Sequence, residues 1–166
     1  MRRKAFLLLT LALLTVPVCA VQLPGELLDA LPEEAAAVRT EVFVEEQGFI
    51  NEMDDIDSYA EHIVAFDGDK PVGTCRFFKD DKTENDYIAG RIAVRKEYRG
   101  RDIGTELLKA VERAVKEKGG TRVVLHAQVR AKEFYEKQGY QPYGEIGFEE
   151  GCPHIWMYKI PSEEKD

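Results

Sequence analysis

Residues 90–108, GRIAVRKEYRGRDIGTELL, run from a β-branched stretch through a basic, glycine-containing turn into an amphipathic stretch. Arg99 and Arg101 bracket Gly100, and Gly104 falls where the first helical turn should lie. A helix start presents unpaired N–H groups at the positive end of its dipole, so a strand, a basic turn and a helix in that order suit a phosphate group. The arginines supply fixed charge, and the glycines let backbone come close to a ligand. The loop Arg99, Gly100, Arg101, Asp102, Ile103, Gly104 and Thr105 is therefore expected to hold a phosphorylated cofactor.

Elements must position that loop. Residues 87–94 carry the β-branched and aromatic residues of a strand. From Ile103 the apolar positions Leu107, Val111 and Ala114 recur on one helical face, widened by Leu108 and Val115, toward an end near Gly119 and Gly120. Residues 122–126 read as a compact apolar strand, and 131–140 as a short helix closed by glycine. Upstream, Pro32 opens a first helix, Glu33 and Glu34 suit its positive end, and Gly48 follows its close. Residues 62–66 and 72–78 form a hairpin through Asp67-Gly68-Asp69, residues 79–86 a charged loop, and residues 155–160 a last strand.

With both halves in view, the chain resembles the GNAT family of N-acetyltransferases. The family's pyrophosphate loop, Arg/Gln-x-x-Gly-x-Gly/Ala, is matched at Arg99 and Gly104, and its second signature by Ala131, Phe134-Tyr135-Glu136 and Gly139-Tyr140. Glu41-Val42-Phe43-Val44-Glu45-Glu46-Gln47, Leu125-His126-Ala127-Gln128 and Phe148-Glu149-Glu150-Gly151-Cys152-Pro153-His154 look like its ElaA-like branch. The resemblance implies an α/β (α+β) fold: one GNAT-type domain whose mixed, largely antiparallel sheet of about six or seven strands is flanked by helices. Departing from the pattern, Asp102 stands where the family has its first loop glycine. As a helix N-cap it would contribute about 1 kcal/mol. Its carboxylate would then engage the amides a diphosphate needs and repel it by roughly 1–4 kcal/mol.

The implied activity is transfer of an acetyl group from acetyl-CoA to a primary amine by direct attack. Backbone at Ile92, Ala93 and Val94 would pair with the pantetheine amides, and Tyr135 would protonate the departing thiolate. A base is less defined among His62, His126 and His154: His126 reads as structural, while His154, on a turn before the last strand, could reach the acceptor. In the acidic run Glu46, Glu52, Asp54, Asp55 and Asp57, the pair Glu46 and Glu52 is expected to attract a cationic acceptor.

The 166 residues leave room for one core, and 44% hydrophobic with 33% charged residues is ordinary globular usage. A net charge of −8 argues against nucleic acid or an anionic membrane as a general partner. Cys75 and Cys152 have no metal-ligand spacing and read as thiols. The expected partner is a small-molecule amine or an exposed amino group, with a homodimer possible and no stable membrane span.

Residues 1–20 stand apart from the domain at 21–166. Arg2, Arg3 and Lys4, the apolar run 5–18 and Val18-Cys19-Ala20 have the form of a secretory signal peptide. Export would separate the enzyme from acetyl-CoA, so an upstream start or a first strand is the alternative, and both keep the protein cytoplasmic. A non-catalytic acyl-CoA-binding or interaction module with the same fold is the second functional reading; Tyr135 favours the enzyme, and Asp102 and the signal-like start favour the module.

Overall fold

The computed structural model describes residues 30–162. The signal-like segment 1–20 and Cys19 lie outside the described residues. The first helix, α1 (Glu33–Arg39), continues as a wider π-helical stretch through Glu45, and Gly48 at φ +79° turns the chain out of it. There follow β1 (Glu61–Asp67), β2 (Lys70–Lys79), β3 (Asp86–Val94), α2 (Ile103–Glu117), β4 (Arg122–Gln128), α3 (Lys132–Lys137), β5 (Gln141–Glu149) and β6 (Cys152–Lys159).

The sheet has the order β1-β2-β3-β4-β6-β5, and every neighbouring pair is antiparallel except β3 with β4. That single parallel pair follows from the intervening helix: α2 carries the chain back across the sheet, as a parallel crossover must. Its buried residues Ile103, Leu107, Leu108, Val111, Ala114 and Val115 are those the apolar spacing singled out. They pack on Ile63, Ala65, Cys75, Phe77, Val123, Leu125 and Ala127, alternate residues of three strands. The opposite face turns His62, Thr74 and Arg76 inward toward the side that holds α1 and the buried Arg39.

One strand was not legible in the sequence. β5 contains Pro142, Gly144 and Gly147, is exposed along nearly its whole length, and changes register between Tyr143 and Gly147. Proline and glycine are tolerated there because the strand lies at the sheet edge, with a bulge at Gly144 (φ +73°).

Candidate active site

The ladder between β3 and β4 is short. It joins residues 86–89 to residues 122–125 and then stops. Beyond it Gly90, Ala93 and Val94 pair only with β2, while His126, Ala127 and Gln128 pair only with β6. The parting begins at a bulge: Arg76 faces Gly90 and Thr74 faces Ala93, so β3 spends two residues where β2 spends one. Arg91, one of those two, has φ +53°, a conformation that non-glycine residues adopt at a cost. Its guanidinium is anchored by the Glu52 carbonyl and by the carboxylates of Glu52 and Asp54, all at 3.1 Å.

The divergence opens a cleft of about 1070 Å³. One wall carries Ile92, Ala93 and Val94, the other His126, Gln128 and Ala131, with Tyr135 between them. Residues 42–54 close the top, tied down at two points. The Gln47 Oε1 accepts hydrogen bonds from Gln128 Nε2 (2.9 Å) and Arg130 (2.6 Å). The Glu150 carboxylate accepts from the backbone N–H groups of Ile50 (2.8 Å) and Asn51 (3.0 Å).

The phosphate-type loop sits where the strand–turn–helix order puts it, with three differences from expectation. Asp102 is the residue before α2 but adopts φ +59°, and its side chain makes no capping hydrogen bond. The capping reading is therefore corrected: a left-handed residue points its carboxylate away from the amides that an extended Ncap would reach. Those first-turn amides are left without a side-chain cap. Gly104 also has a packing role, since a Cβ there would stand 3.1 Å from the Phe134 ring. The two arginines already have partners: Arg99 donates to both oxygens of Glu46, and Arg101 lies 4.9 Å above the Tyr98 ring.

Glu46 and Glu52, expected to attract a cationic acceptor, both line the cleft, and each already has an arginine partner. Glu46 belongs to Arg99, whose hydrogen bond holds its carboxyl below the usual range. Glu52 is 5% exposed and bonded to Arg39 at 2.7 Å. Burial pushes its carboxyl up, against the pull of Arg91 and Arg39. Asp57 and Asp54 complete a charge network with Arg39, Arg76 and Arg91. Burial works to raise the Asp57 carboxyl, but hydrogen bonds from Arg39 and Arg76 outweigh it and hold the group well below the ordinary value. Glu52, Asp54 and Asp57 thus form a cross-braced support for the bulge, because a buried carboxylate needs a cation beside it.

Tyr135 is 9% exposed and stacks edge-on against Phe134 (5.1 Å) and Tyr140 (6.1 Å). Burial pushes its phenol up, with Cys75 adding to the shift, so the hydroxyl stays protonated at neutral pH. His154 is brought into the same cleft as Tyr135, as is His126. The two imidazoles lie 5.0 Å apart and share Glu149: His126 Nδ1 is 2.6 Å from Oε1, and His154 Nε2 is 3.7 Å from Oε2. Trp156 stacks on His126 at 4.4 Å. Glu149 and Trp156 were not singled out from sequence; the period-2 pattern of β4 places His126 and Gln128 on one face, but nothing local points to a partner 23 residues on. His62 is buried in the other network, 3.4 Å from the Asp57 carbonyl, and does not reach the cleft.

Comparison with known proteins agrees with this architecture. Residues 27–161 match the model of the Acetyltransferase (GNAT) domain. The chain is 39% identical over 133 residues to the uncharacterized N-acetyltransferase YjcF of Bacillus subtilis, covering 76% of this chain and 91% of the relative. It is 32% identical over 124 residues to protein ElaA of Escherichia coli, covering 72% and 81%. The crystal structure of Escherichia coli ElaA superposes with a TM-score of 0.73 over 84% of this chain and 99% of that one, at 26% identity.

Proposed function

Because the chain belongs to the GNAT acetyltransferase family, we propose that it transfers an acetyl group from acetyl-CoA to a primary amine. The observation that carries this reading is the parting of β3 from β4 at the Arg91 bulge, with Tyr135 inside the resulting cleft. The residues present fit the donor. The strand edge at Ile92, Ala93 and Val94 has no β4 partner and offers backbone groups to the pantetheine amides. The uncapped start of α2, at Ile103, Gly104 and Thr105, offers N–H groups to the diphosphate, with Gly100 at φ +75° turning the loop beneath it and Arg99 and Arg101 supplying charge.

Acetyl-CoA supplies an activated thioester carbonyl. The roof 42–54 and the aromatic walls limit water at that carbonyl, favouring the amine over hydrolysis. Tyr135, kept protonated by burial, donates its proton to the leaving sulfur.

Thermal unfolding of the full chain with and without acetyl-CoA tests the reading. At about 100 times the dissociation constant, binding adds roughly 2.7 kcal/mol. For a chain of this length that is about 5–10 °C in Tm. A shift of that size, followed by amine-dependent release of free thiol, supports the transferase; no shift overturns it. A shift with no thiol release across a panel of primary amines would favour the non-catalytic acyl-CoA-binding module.

A further inference from the structure

We infer that His126 is the general base for the acceptor amine, with Glu149 as its positioning residue; this rests on the acetyltransferase reading. Hydrogen-bond chemistry decides the protonation. A carboxylate only accepts, so the 2.6 Å contact requires His126 Nδ1 to carry the hydrogen, and in the neutral ring Nε2 is then left with a lone pair. Nε2 has no hydrogen-bond partner among the described residues, and the ring lines the cleft. Stacking on Trp156 and the Glu149 contact fix the ring's plane and tautomer, the arrangement by which a carboxylate orients a histidine base.

His154 acts on Glu149 from the other side. Its Nδ1 faces the Cys152 carbonyl at 2.9 Å and must donate to it, so its Nε2, when neutral, turns a lone pair toward Glu149. The charged groups that meet His126 are thus Glu149 from β5 and His154 from β6. Of the cleft's other cations near this wall, Arg91 is taken up by Glu52 and Asp54, and Arg130 by Gln47 and Gln128.

The proton count closes. The acceptor arrives as an ammonium ion and gives one proton to His126 Nε2. The freed lone pair forms the C–N bond at the thioester carbon, and the C–S bond breaks with its electron pair on sulfur. Sulfur takes the Tyr135 proton, and the nitrogen's surplus proton restores the phenol. The proton on His126 leaves to water at the cleft mouth, so each turnover yields one amide, one thiol and one proton.

The probes are benzylamine, protonated at neutral pH, and aniline, which is not; both suit an aromatic-lined cleft. His126→Gln and Glu149→Gln are expected to lower kcat/KM for benzylamine at pH 7 by about a hundredfold, the lower end of what general-base catalysis contributes, while changing aniline turnover less than about threefold. Nitrogen-15 NMR of the full chain should show wild-type His126 as the Nδ1–H tautomer, and a mixed population in Glu149→Gln, a substitution at a half-exposed side chain. Equal losses on both amines or an Nε2–H tautomer overturns the assignment. Failure of acetyl-CoA to bind in calorimetry overturns instead the transferase reading beneath it.

Discussion

Arg99 and Glu46, 53 residues apart, form a two-pronged pair, with guanidinium nitrogens 2.7 and 2.6 Å from the two carboxylate oxygens. The same guanidinium also donates from Nε to the Val94 carbonyl at 3.0 Å. The arginine that marks the phosphate-type loop is thus occupied by a carboxylate from the end of the first helix, at the edge of the cleft.

A diphosphate must compete with Glu46 for Arg99. The pair is about two-fifths exposed, so its own contribution to stability is about 0–1 kcal/mol. Glu46→Gln should therefore tighten acetyl-CoA severalfold while moving Tm little. Titration calorimetry reads the effect, and an unchanged or weaker affinity would show that the two anions do not compete.

Asp102 holds a left-handed conformation without using its side chain as a cap. Glycine adopts that conformation freely, whereas other residues give up roughly 1–2 kcal/mol, somewhat less for Asp. Asp102→Gly should leave Tm unchanged or raise it by a few degrees. A fall in Tm would show that the carboxylate stabilises the helix start after all.

Arg39 is 1% exposed and is bonded to Glu52 and Asp57. Arg39→Met keeps most of the volume but leaves buried Glu52 with Arg91 alone and Asp57 with Arg76 alone, and breaking buried pairs in this way costs about 3–5 kcal/mol. Calorimetric unfolding should show Tm lower by roughly 6–20 °C. A loss under 3 °C would mean that Arg91 and Arg76 suffice for Glu52 and Asp57.

The same network sets the acid limb of stability. Asp57 is held below its ordinary value of 3.8, so its stabilisation is complete above that pH and is lost as pH falls through the folded-state value. Glu52, raised above 4.5, has the opposite sign and loses stability as pH rises. The difference in Tm between wild type and Asp57→Asn isolates the aspartate. It should be largest near pH 7 and narrow below about pH 4; a constant gap from pH 7 to 3 would refute the assignment.

Tyr135→Phe keeps the aromatic contacts with Phe134 and Tyr140 and removes only the hydroxyl. Loss of a general acid costs about 10²–10⁴ in rate, so kcat should fall by that range with acetyl-CoA affinity unchanged. An unaltered kcat would leave Tyr135 a packing residue.

Much of this was legible in the chain itself. The α2 face was readable because Ile103, Leu107, Val111 and Ala114 recur at the helical period, and the β1–β2 hairpin because Asp67-Gly68-Asp69 breaks two apolar runs. β5 was not: its glycines and proline mask an edge strand that buries almost nothing. Asp102 looked like a cap because its residue type favours one, while its φ depends on how the loop from Arg99 is seated.

The sequence by itself determined the order of elements apart from β5, the helix-start loop at 99–105 and the family, since these depend on local periodicity and on residue types at fixed spacing. Only the tertiary structure decided which charges meet. The sheet sets β4 beside β6 and β6 beside β5, which carries Glu149 to His126, and the bulge at Arg91 turns that guanidinium onto Glu52 and Asp54. Such pairings lie 23 to 39 residues apart in the chain. No local pattern encodes them, because an ionisable side chain takes whichever partner the packed strands bring within a few ångströms.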